Sequence, residues 1–263
     1  MNVRRIAFAL LLAVVTAAAA IVMRPGASYA RQDRDALFAS SSSDHLAGTD
    51  AMGRDRLVRV SAALLLCLAG AAAAAALSTL AAAGIGAFGA MGPKSFGWLT
   101  LLACDAFLAL PWMFLLMMVR SAIPLTTSPT ASAAITFLVL AALGWPACAR
   151  AVYRGTKELQ KSEWMLYATA NGLRRTQMLR ILVPNLLPLL LPQFLISVPA
   201  FIVAEANLGA LGLGIGEPLP SWGGMLLELN NSATLLQTNW IYLPVALLTV
   251  VLLLLEAITV EGS

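Results

Sequence analysis

Long apolar runs without strand-like alternation make up most of the chain. A membrane span requires about 20 mainly apolar residues, and six stretches meet this requirement: residues 6–23, 60–90, 98–119, 131–149, 185–204 and 240–259. The second stretch is too long for one simple span, and its alanine-rich run leaves the boundary open. Because the runs are continuous, the pattern predicts an all-α integral membrane protein with about six transmembrane helices.

The first 30 residues fit two descriptions. Arg4 and Arg5 precede an apolar run and the small-residue sequence Ser28-Tyr29-Ala30, as in a cleavable signal peptide. The run 6–23 has 18 residues, whereas the core of a signal peptide has about 7–15. We therefore favour a retained transmembrane helix at 1–23, of the signal-anchor type, over a cleaved signal peptide. An external loop at 24–59 and a core domain at 60–263 follow.

The distribution of charge predicts the orientation. None of the 17 Lys and Arg residues lies after Arg180. Residues 150–180 hold seven basic and two acidic side chains (7 − 2 = +5), whereas residues 205–239 hold three glutamates and no basic residue. Since basic loops remain on the cytoplasmic side, residues 150–180 are expected to be cytoplasmic and residues 205–239 external.

Composition excludes several classes of function. With 60% apolar and 11% charged residues, the chain lacks the polar surface of a soluble domain, and its localised basic residues do not suggest a nucleic-acid partner. One histidine and three cysteines inside apolar runs, Cys67, Cys104 and Cys148, provide no pattern for a metal site or a catalytic centre. No phosphate-binding loop motif occurs, so we expect no cofactor on this chain, and any ATP and Mg²⁺ must be bound by a partner.

A possible docking element lies in the basic segment. Residues 163–188 read EWMLYATANGLRRTQMLRILVPNLLP. A first short helix, a break at Asn171 and Gly172, and a second basic helix stopped by Pro184 predict a helix-turn-helix on the membrane face. Such a surface can receive a partner protein, although an ordinary basic juxtamembrane loop is the alternative.

The fifth apolar stretch and the segment after it carry unusual backbone chemistry. Pro184, Pro188, Pro192 and Pro199 share one helical face, and each leaves a carbonyl without its donor. This face either lines a water-accessible path or kinks the helix for packing. The glycines and prolines of residues 209–220 predict a chain break at the outer face, which is either a gate or a packed connector. The interfacial anchors expected there are Leu211, Leu213, Ile215 and Trp222.

Acidic residues within the apolar stretches or at their ends are candidates for function. Asp105 lies in the third stretch and Glu205 at the outer end of the fifth. An acid in a membrane is a functional candidate, and we expect both to face water near a pathway, the alternative for Asp105 being a Ser, Thr or backbone partner. The acidic and basic residues of segment 45–55 are expected to pair and fold the outer loop rather than bind a metal.

Several segments resemble one family. The 163–188 segment looks like the cytoplasmic coupling loop of ABC importer permeases, with Ala168, Gly172 and Pro184 in place, but with Leu166 where that family has glutamate. Four further segments resemble the dipeptide, oligopeptide and nickel permeases: HLAGTDAMGRD (45–55), DAFLALP (105–111), LGWPACARAVYRG (143–155) and EANLGALGLGIGEPLPSWGGML (205–226).

The resemblance implies a type I importer permease of the bacterial inner membrane that moves peptides by alternating access. Its expected partners are a second homologous permease, two ATP-binding subunits, a periplasmic or lipid-anchored solute-binding protein and membrane lipid. The implied coupling residues lie within 157–184: Glu163, Ala168, Gly172, Arg174, Arg175 and Pro184. The path or gate candidates are Asp105, Pro188, Pro192, Glu205 and Trp222.

Three other functions remain open at this point. Nickel or another small solute could replace peptides within the same family. The altered coupling loop also fits a membrane scaffold that does not transport. A membrane enzyme is disfavoured because the chain has one histidine, in the outer loop, and no nucleophile motif.

Overall fold

The described part of the chain is built from helices. The computed structural model describes residues 3–124, 126–173, 175–229 and 242–260, where strand-type pairing is limited to one bridge between Thr49 and Asp55. The helices in these ranges are α1 (Val3–Val22), α2 (Arg56–Met91), α3 (Lys94–Ala109), α4 (Trp112–Ser121), α5 (Pro129–Leu159), α6 (Glu163–Ala170), α7 (Arg175–Ala210), α8 (Trp222–Glu228) and α9 (Leu243–Val260). The all-α class is confirmed.

The helices reproduce the six predicted apolar stretches, with differences in length. Among the described residues, α1, α2, α5 and the Ile181–Ala210 part of α7 are each long and apolar enough to cross a membrane. Helices α3 and α4 meet that requirement only as a pair, which is bent by 79°. Helix α9 corresponds to the sixth stretch and is apolar but shorter.

The second apolar stretch is one helix, and it begins earlier than predicted. The Asp55 side chain accepts a hydrogen bond from the Val58 amide at 3.0 Å, which caps α2 and starts it at Arg56. The outer loop therefore ends at residue 55 and not at residue 59. With 36 residues, α2 is about 54 Å long and extends beyond a hydrocarbon core of about 30 Å.

The third stretch is broken, and the fourth is longer than predicted. Leu110 has an extended backbone because a residue before proline avoids the helical region, and Pro111 follows it at the bend. Ser128 caps α5 by accepting from the Ala131 amide, and α5 then continues to Leu159. Arg150 therefore lies within a helix, which corrects its assignment to a loop.

Helix α7 does not stop at Pro184, so that boundary was predicted wrongly. It runs from Arg175 to Ala210 with all four prolines inside it. The side-chain amide of Asn185 donates to the Ile181 carbonyl oxygen at 2.8 Å. This bond supplies an additional donor in the helical turn that contains Pro184. A long apolar helix tolerates the loss of single backbone bonds, since its other bonds and its packing remain.

The core consists of two clusters. The larger one joins α1, α2, α4, α5, α7, α8 and α9 and includes Leu64, Leu140, Ile202 and Trp222. The smaller one, called here the second cluster, consists of Ala82, Ala87, Cys104, Cys148, Ala149, Val152, Met165, Leu182 and Leu186. All three cysteines are buried and free, as the sequence suggested.

Candidate functional site

Helix α6 has one buried side and one exposed apolar side. Met165 and Ala168, three residues apart, are buried, and Met165 belongs to the second cluster with Val152 of α5 and Leu182 of α7. The opposite side exposes three large apolar or aromatic side chains, and Tyr167 is 71% exposed. We call this the α6 surface; its residues are Trp164, Leu166 and Tyr167. It is joined to the membrane helices through Met165.

The predicted break after α6 is confirmed. Gly172 has φ 69°, a left-handed conformation that favours glycine. Its amide donates to the Thr169 carbonyl oxygen, and the Leu173 amide donates to that of Ala168 at 3.2 Å, as in a Schellman helix end. Glu163 begins α6 and is exposed. Arg174 and the side chain of Arg175 lie outside the described residues.

The prolines of α7 differ in exposure along the helix. Pro184 and Pro188 are exposed, Pro192 is half-buried and Pro199 is buried. On the other side of the helix, Leu190 packs against the second cluster and Phe194 against the larger one. The inner half of α7 thus has an uncovered proline face and a packed opposite face.

After Ala210 the chain turns sharply and packs back against α7. Gly212 has φ 77°, and the segment 211–221, called here the outer segment, leads into α8. Gly209 of α7 and Gly223 of α8 are in direct backbone contact, since a Cβ on Gly209 would lie 2.2 Å from the Gly223 Cα. The two helices can approach this closely only because both positions are glycine.

Two predicted interfacial anchors are buried instead. Trp222 is 1% exposed and lies in the larger cluster, and Ile215 is also buried. Trp222 is the first residue of α8, which Ser221 caps by accepting from the Gly224 amide at 3.1 Å. This packing against α7, which the sequence pattern could not reveal, explains the correction. Leu211 is exposed, as expected for an anchor.

Glu205 is buried in the bundle, contrary to the expectation that it faces water. Its side chain is fully enclosed between α7, α2 and α8. One carboxylate oxygen accepts from the Cys67 thiol of α2 at 3.4 Å. The backbone oxygen of Glu205 lies beside Gly223, so Glu205 is near the close contact of Gly209 and Gly223.

An arginine that sequence reasoning did not single out fixes the beginning of the outer segment. Arg120, at the end of α4, donates to the carbonyl oxygens of Leu213 (2.9 Å) and Gly214. It also donates to the Ser132 hydroxyl of α5 at 2.7 Å. Arg120 thus joins α4, α5 and the outer segment. A basic residue at the end of an apolar stretch was the available signal.

A second set of charges joins the outer loop to the far end of the outer segment. Arg54 pairs with Asp50 at 2.6 Å, and both are almost completely buried. Glu217 of the outer segment accepts from Arg54 at 2.6 Å and from Arg59 at 3.0 Å. We call this set, Asp50, Arg54, Arg59 and Glu217, the arginine clasp. Burial lowers the pKa of Arg54, but Asp50 and Glu217 outweigh it, so that pKa lies above its ordinary value.

The predicted ion pairing of segment 45–55 is confirmed. His45 lies 2.9 Å from the Asp55 carboxylate, in addition to the Arg54–Asp50 pair. The role of Glu217 was missed, because it is more than 150 residues away in the sequence. Within the described ranges no group of three or more potential metal ligands occurs.

Asp105 has a partner that the sequence interpretation did not consider. It forms an ion pair with Arg150 of α5, and not with a hydroxyl or a backbone donor. Asp105 is 57% exposed and Arg150 31% exposed. The same two helices also meet through Phe107 and Trp145, whose rings lie edge to face with centroids 5.5 Å apart.

Comparison with known proteins gives consistent matches. Residues 80–260 match the family of binding-protein-dependent transport system inner membrane components. The oligopeptide transport system permease protein OppC of Mycobacterium bovis is 31% identical over 259 residues, which cover 97% of this chain and 85% of that protein. The OppC protein of Haemophilus influenzae is 32% identical over 189 residues, covering 70% of this chain and 58% of that protein.

Proposed function

The chain belongs to the family of binding-protein-dependent transport system inner membrane components, and on that premise we propose that it moves peptides across the inner membrane as one permease subunit of an ABC importer. The chain is similar over almost its whole length to a permease named for oligopeptide transport. The segments 45–55 and 205–226, which resemble peptide permeases, contain Asp50, Arg54 and Glu217 of the arginine clasp, the outer segment and the start of α8.

One observation carries the proposal. A single helix, α7, begins three residues after the Gly172 turn and ends beside Gly209 and the outer segment. A partner bound to the α6 surface can therefore act on the outer segment through the second cluster and α7. This continuity is what an importer needs if a motor on one side is to open a path on the other.

The partner at the α6 surface would be an ATP-binding subunit. The surface is aromatic and apolar, so it fits a hydrophobic cleft, with large side chains as anchors. Leu166 is 57% exposed, which suits apolar contact in place of the ionic contact of a glutamate. We further propose two such ATPases, a second homologous permease and a solute-binding protein that docks outside. ATP hydrolysis would take place on the ATPases and not on this chain.

Alternating access is the proposed mechanism. Closure of the ATPases would displace α6, and Met165 would transmit the displacement to α5 and α7. The proline face of α7 would line the path. Pro188 and Pro192 have no N–H donor, so the carbonyl groups one turn before them are free to bind water there. The outer segment, fixed by Arg120 and the arginine clasp, would close the path outside.

Copurification and uptake test this function. The tagged chain, expressed with its partner subunits, should retain an ATP-binding protein, and vesicles with the complex should take up labelled trialanine only with ATP and the binding protein. Leu166→Ala should weaken ATPase retention at least fivefold. Leu253→Ala, which shortens an exposed leucine on α9, is the matched control and should not.

The outcomes separate the alternatives. Retention of an ATPase with uptake of nickel but not of trialanine would replace peptides by a metal cargo. Absence of any ATPase from the purified protein would favour a non-transporting scaffold.

A further inference from the structure

We propose that Asp105 and Arg150 form a subsite that binds the charged ends of a zwitterionic peptide in transit: Asp105 takes the ammonium group and Arg150 the carboxylate. This inference rests on the proposed function, because it presupposes peptide import. It adds to that function a recognition element within the membrane-spanning part of this chain.

The position of the pair is the first argument. Asp105 lies eleven residues after the first residue of α3, and Arg150 lies nine residues before the last residue of α5. Asp105 is therefore about 17 Å from the start of α3, and Arg150 is about 14 Å from the end of α5. The hydrocarbon core is about 30 Å thick. Asp105 therefore lies within the third apolar stretch and Arg150 at the inner end of the fourth, on the inner side of the bend at Pro111.

Exposure is the second argument. Charged side chains inside a membrane face the bundle interior or a water-filled cavity, since lipid does not solvate them. Asp105 is nevertheless 57% exposed on this chain. The face that bears the pair must therefore be turned to water or to protein in the assembled transporter, and not to lipid.

The surroundings of the pair suit a peptide. Phe107 and Trp145 lie on the same two helices close to the pair and are partly exposed, so they offer an apolar wall for side chains. Trp145 also packs against the second cluster, to which Leu190 of α7 belongs as a peripheral member. The subsite is thus close to α7, on the side of that helix where Leu190 packs.

The chemistry explains why the two charges are paired without solute. An isolated charge in a low-dielectric region is costly, and each residue neutralises the other. An arriving peptide supplies a carboxylate, which the Arg150 guanidinium can bind with two parallel hydrogen bonds, and an ammonium group for Asp105. One ion pair is exchanged for two, so binding is favourable enough for entry and weak enough for release.

Peptides with blocked ends test the proposal. Uptake of trialanine, N-acetyl-trialanine and trialanine amide is measured in vesicles that hold the complete complex. The same binding protein is used with every variant. For each peptide the uptake by a variant is divided by the uptake by the wild type, which removes the selectivity of the binding protein from the comparison. Asp105→Asn should lower uptake of trialanine and of the amide at least tenfold, but that of the acetylated peptide no more than threefold. Arg150→Gln should spare the amide and impair the other two.

Labelling provides a second measurement that does not need the binding protein. Ala109→Cys, one turn from Asp105 and exposed, is placed in a background without native cysteines in the permease–ATPase complex. Millimolar trialanine should slow its reaction with a small hydrophilic thiol reagent at least threefold. The protection should disappear with Asp105→Asn.

Controls and contrary results are defined by the same assays. Arg34→Gln and Asp35→Asn neutralise exposed charges of the outer loop and should leave the peptide ratios unchanged. An equal loss for all three peptides, or labelling protection that persists in Asp105→Asn, would reduce the pair to a structural link between α3 and α5 and overturn the proposal. Failure of the wild-type complex to take up any peptide would instead overturn the proposed function.

Discussion

Gly209 of α7 and Gly223 of α8 touch through their backbones. A methyl group on Gly209 would lie 2.2 Å from the Gly223 Cα, and one on Gly223 would lie 2.4 Å from the Gly209 Cα. Because the neighbouring atoms belong to the backbone, neither side can yield by a side-chain rotation. The outer segment is therefore held against α7 at a fixed distance.

The first prediction concerns this contact. Gly209→Ala or Gly223→Ala should destabilise the protein by about 1–3 kcal/mol, because overpacking forces backbone displacement. Thermal unfolding in detergent measures the effect. Gly216→Ala is the control, since its Cβ would have no neighbour nearer than 4.0 Å. Equal melting temperatures for the three variants would mean that α7 and α8 do not touch.

The second prediction concerns the turn after α6. Gly172→Ala should cost about 1–2 kcal/mol because alanine is strained at a positive φ. An added methyl group would lie in open space at Gly172 and at Gly84 alike, but Gly84 has a helical φ. Gly84→Ala should therefore be neutral or stabilising. Gly172→Val should in addition lower transport-linked ATPase stimulation, while the protein still inserts. Unchanged stimulation in Gly172→Val would separate this turn from coupling.

The third prediction concerns the arginine clasp. Arg59 is buried and pairs with Glu217, whose side chain is 52% exposed. Arg59→Gln should cost about 1–3 kcal/mol, less than the loss of one partner from a fully buried pair. Limited proteolysis of the outer loop in spheroplasts should be faster in this variant. Arg34→Gln, an exposed arginine in the same loop, should match the wild type; no difference between the two variants would contradict the clasp.

Features set by neighbouring residues could be predicted from the sequence, whereas contacts between distant residues could not. The Gly172 turn was predictable because glycine, asparagine and the flanking helices are adjacent in the sequence. The Arg59–Glu217 and Asp105–Arg150 pairs were not, since each joins helices or loops whose mutual packing no local pattern encodes. Pro184 shows the opposite error: a strong local breaker was overridden by the length and apolar packing of α7. Trp222 was misjudged because aromatic residues favour both interfaces and cores.

The fourth prediction concerns the proline face of α7. Cysteines at Pro188 and Pro192, in a background without Cys67, Cys104 and Cys148, should react with a small hydrophilic thiol reagent, and the rate should change when ATP is trapped on the complex. Cysteines at Leu190 and Phe194 should stay unreactive, because these side chains pack against the core clusters. Equal reactivity on both faces would remove the path from α7.

The fifth prediction concerns orientation. Single cysteines at Ser43 in the outer loop and at Lys161 beside α6, both exposed, are probed in intact cells with an impermeant thiol reagent. The basic 150–180 segment places Lys161 inside, so only the cysteine at position 43 should be labelled. Labelling at position 161 in intact cells would reverse the topology.

The length of α7 has a mechanical consequence. With 36 residues it is a lever of about 54 Å, and a tilt of about 10° about its midpoint moves its two ends by about 5 Å in opposite directions. Backbones in contact at Gly209 and Gly223 cannot absorb such a displacement by compression. In the proposed alternating-access cycle the outer segment would therefore move with α7, and the hydrogen bonds of Arg120 and Glu217 would bear the resulting strain.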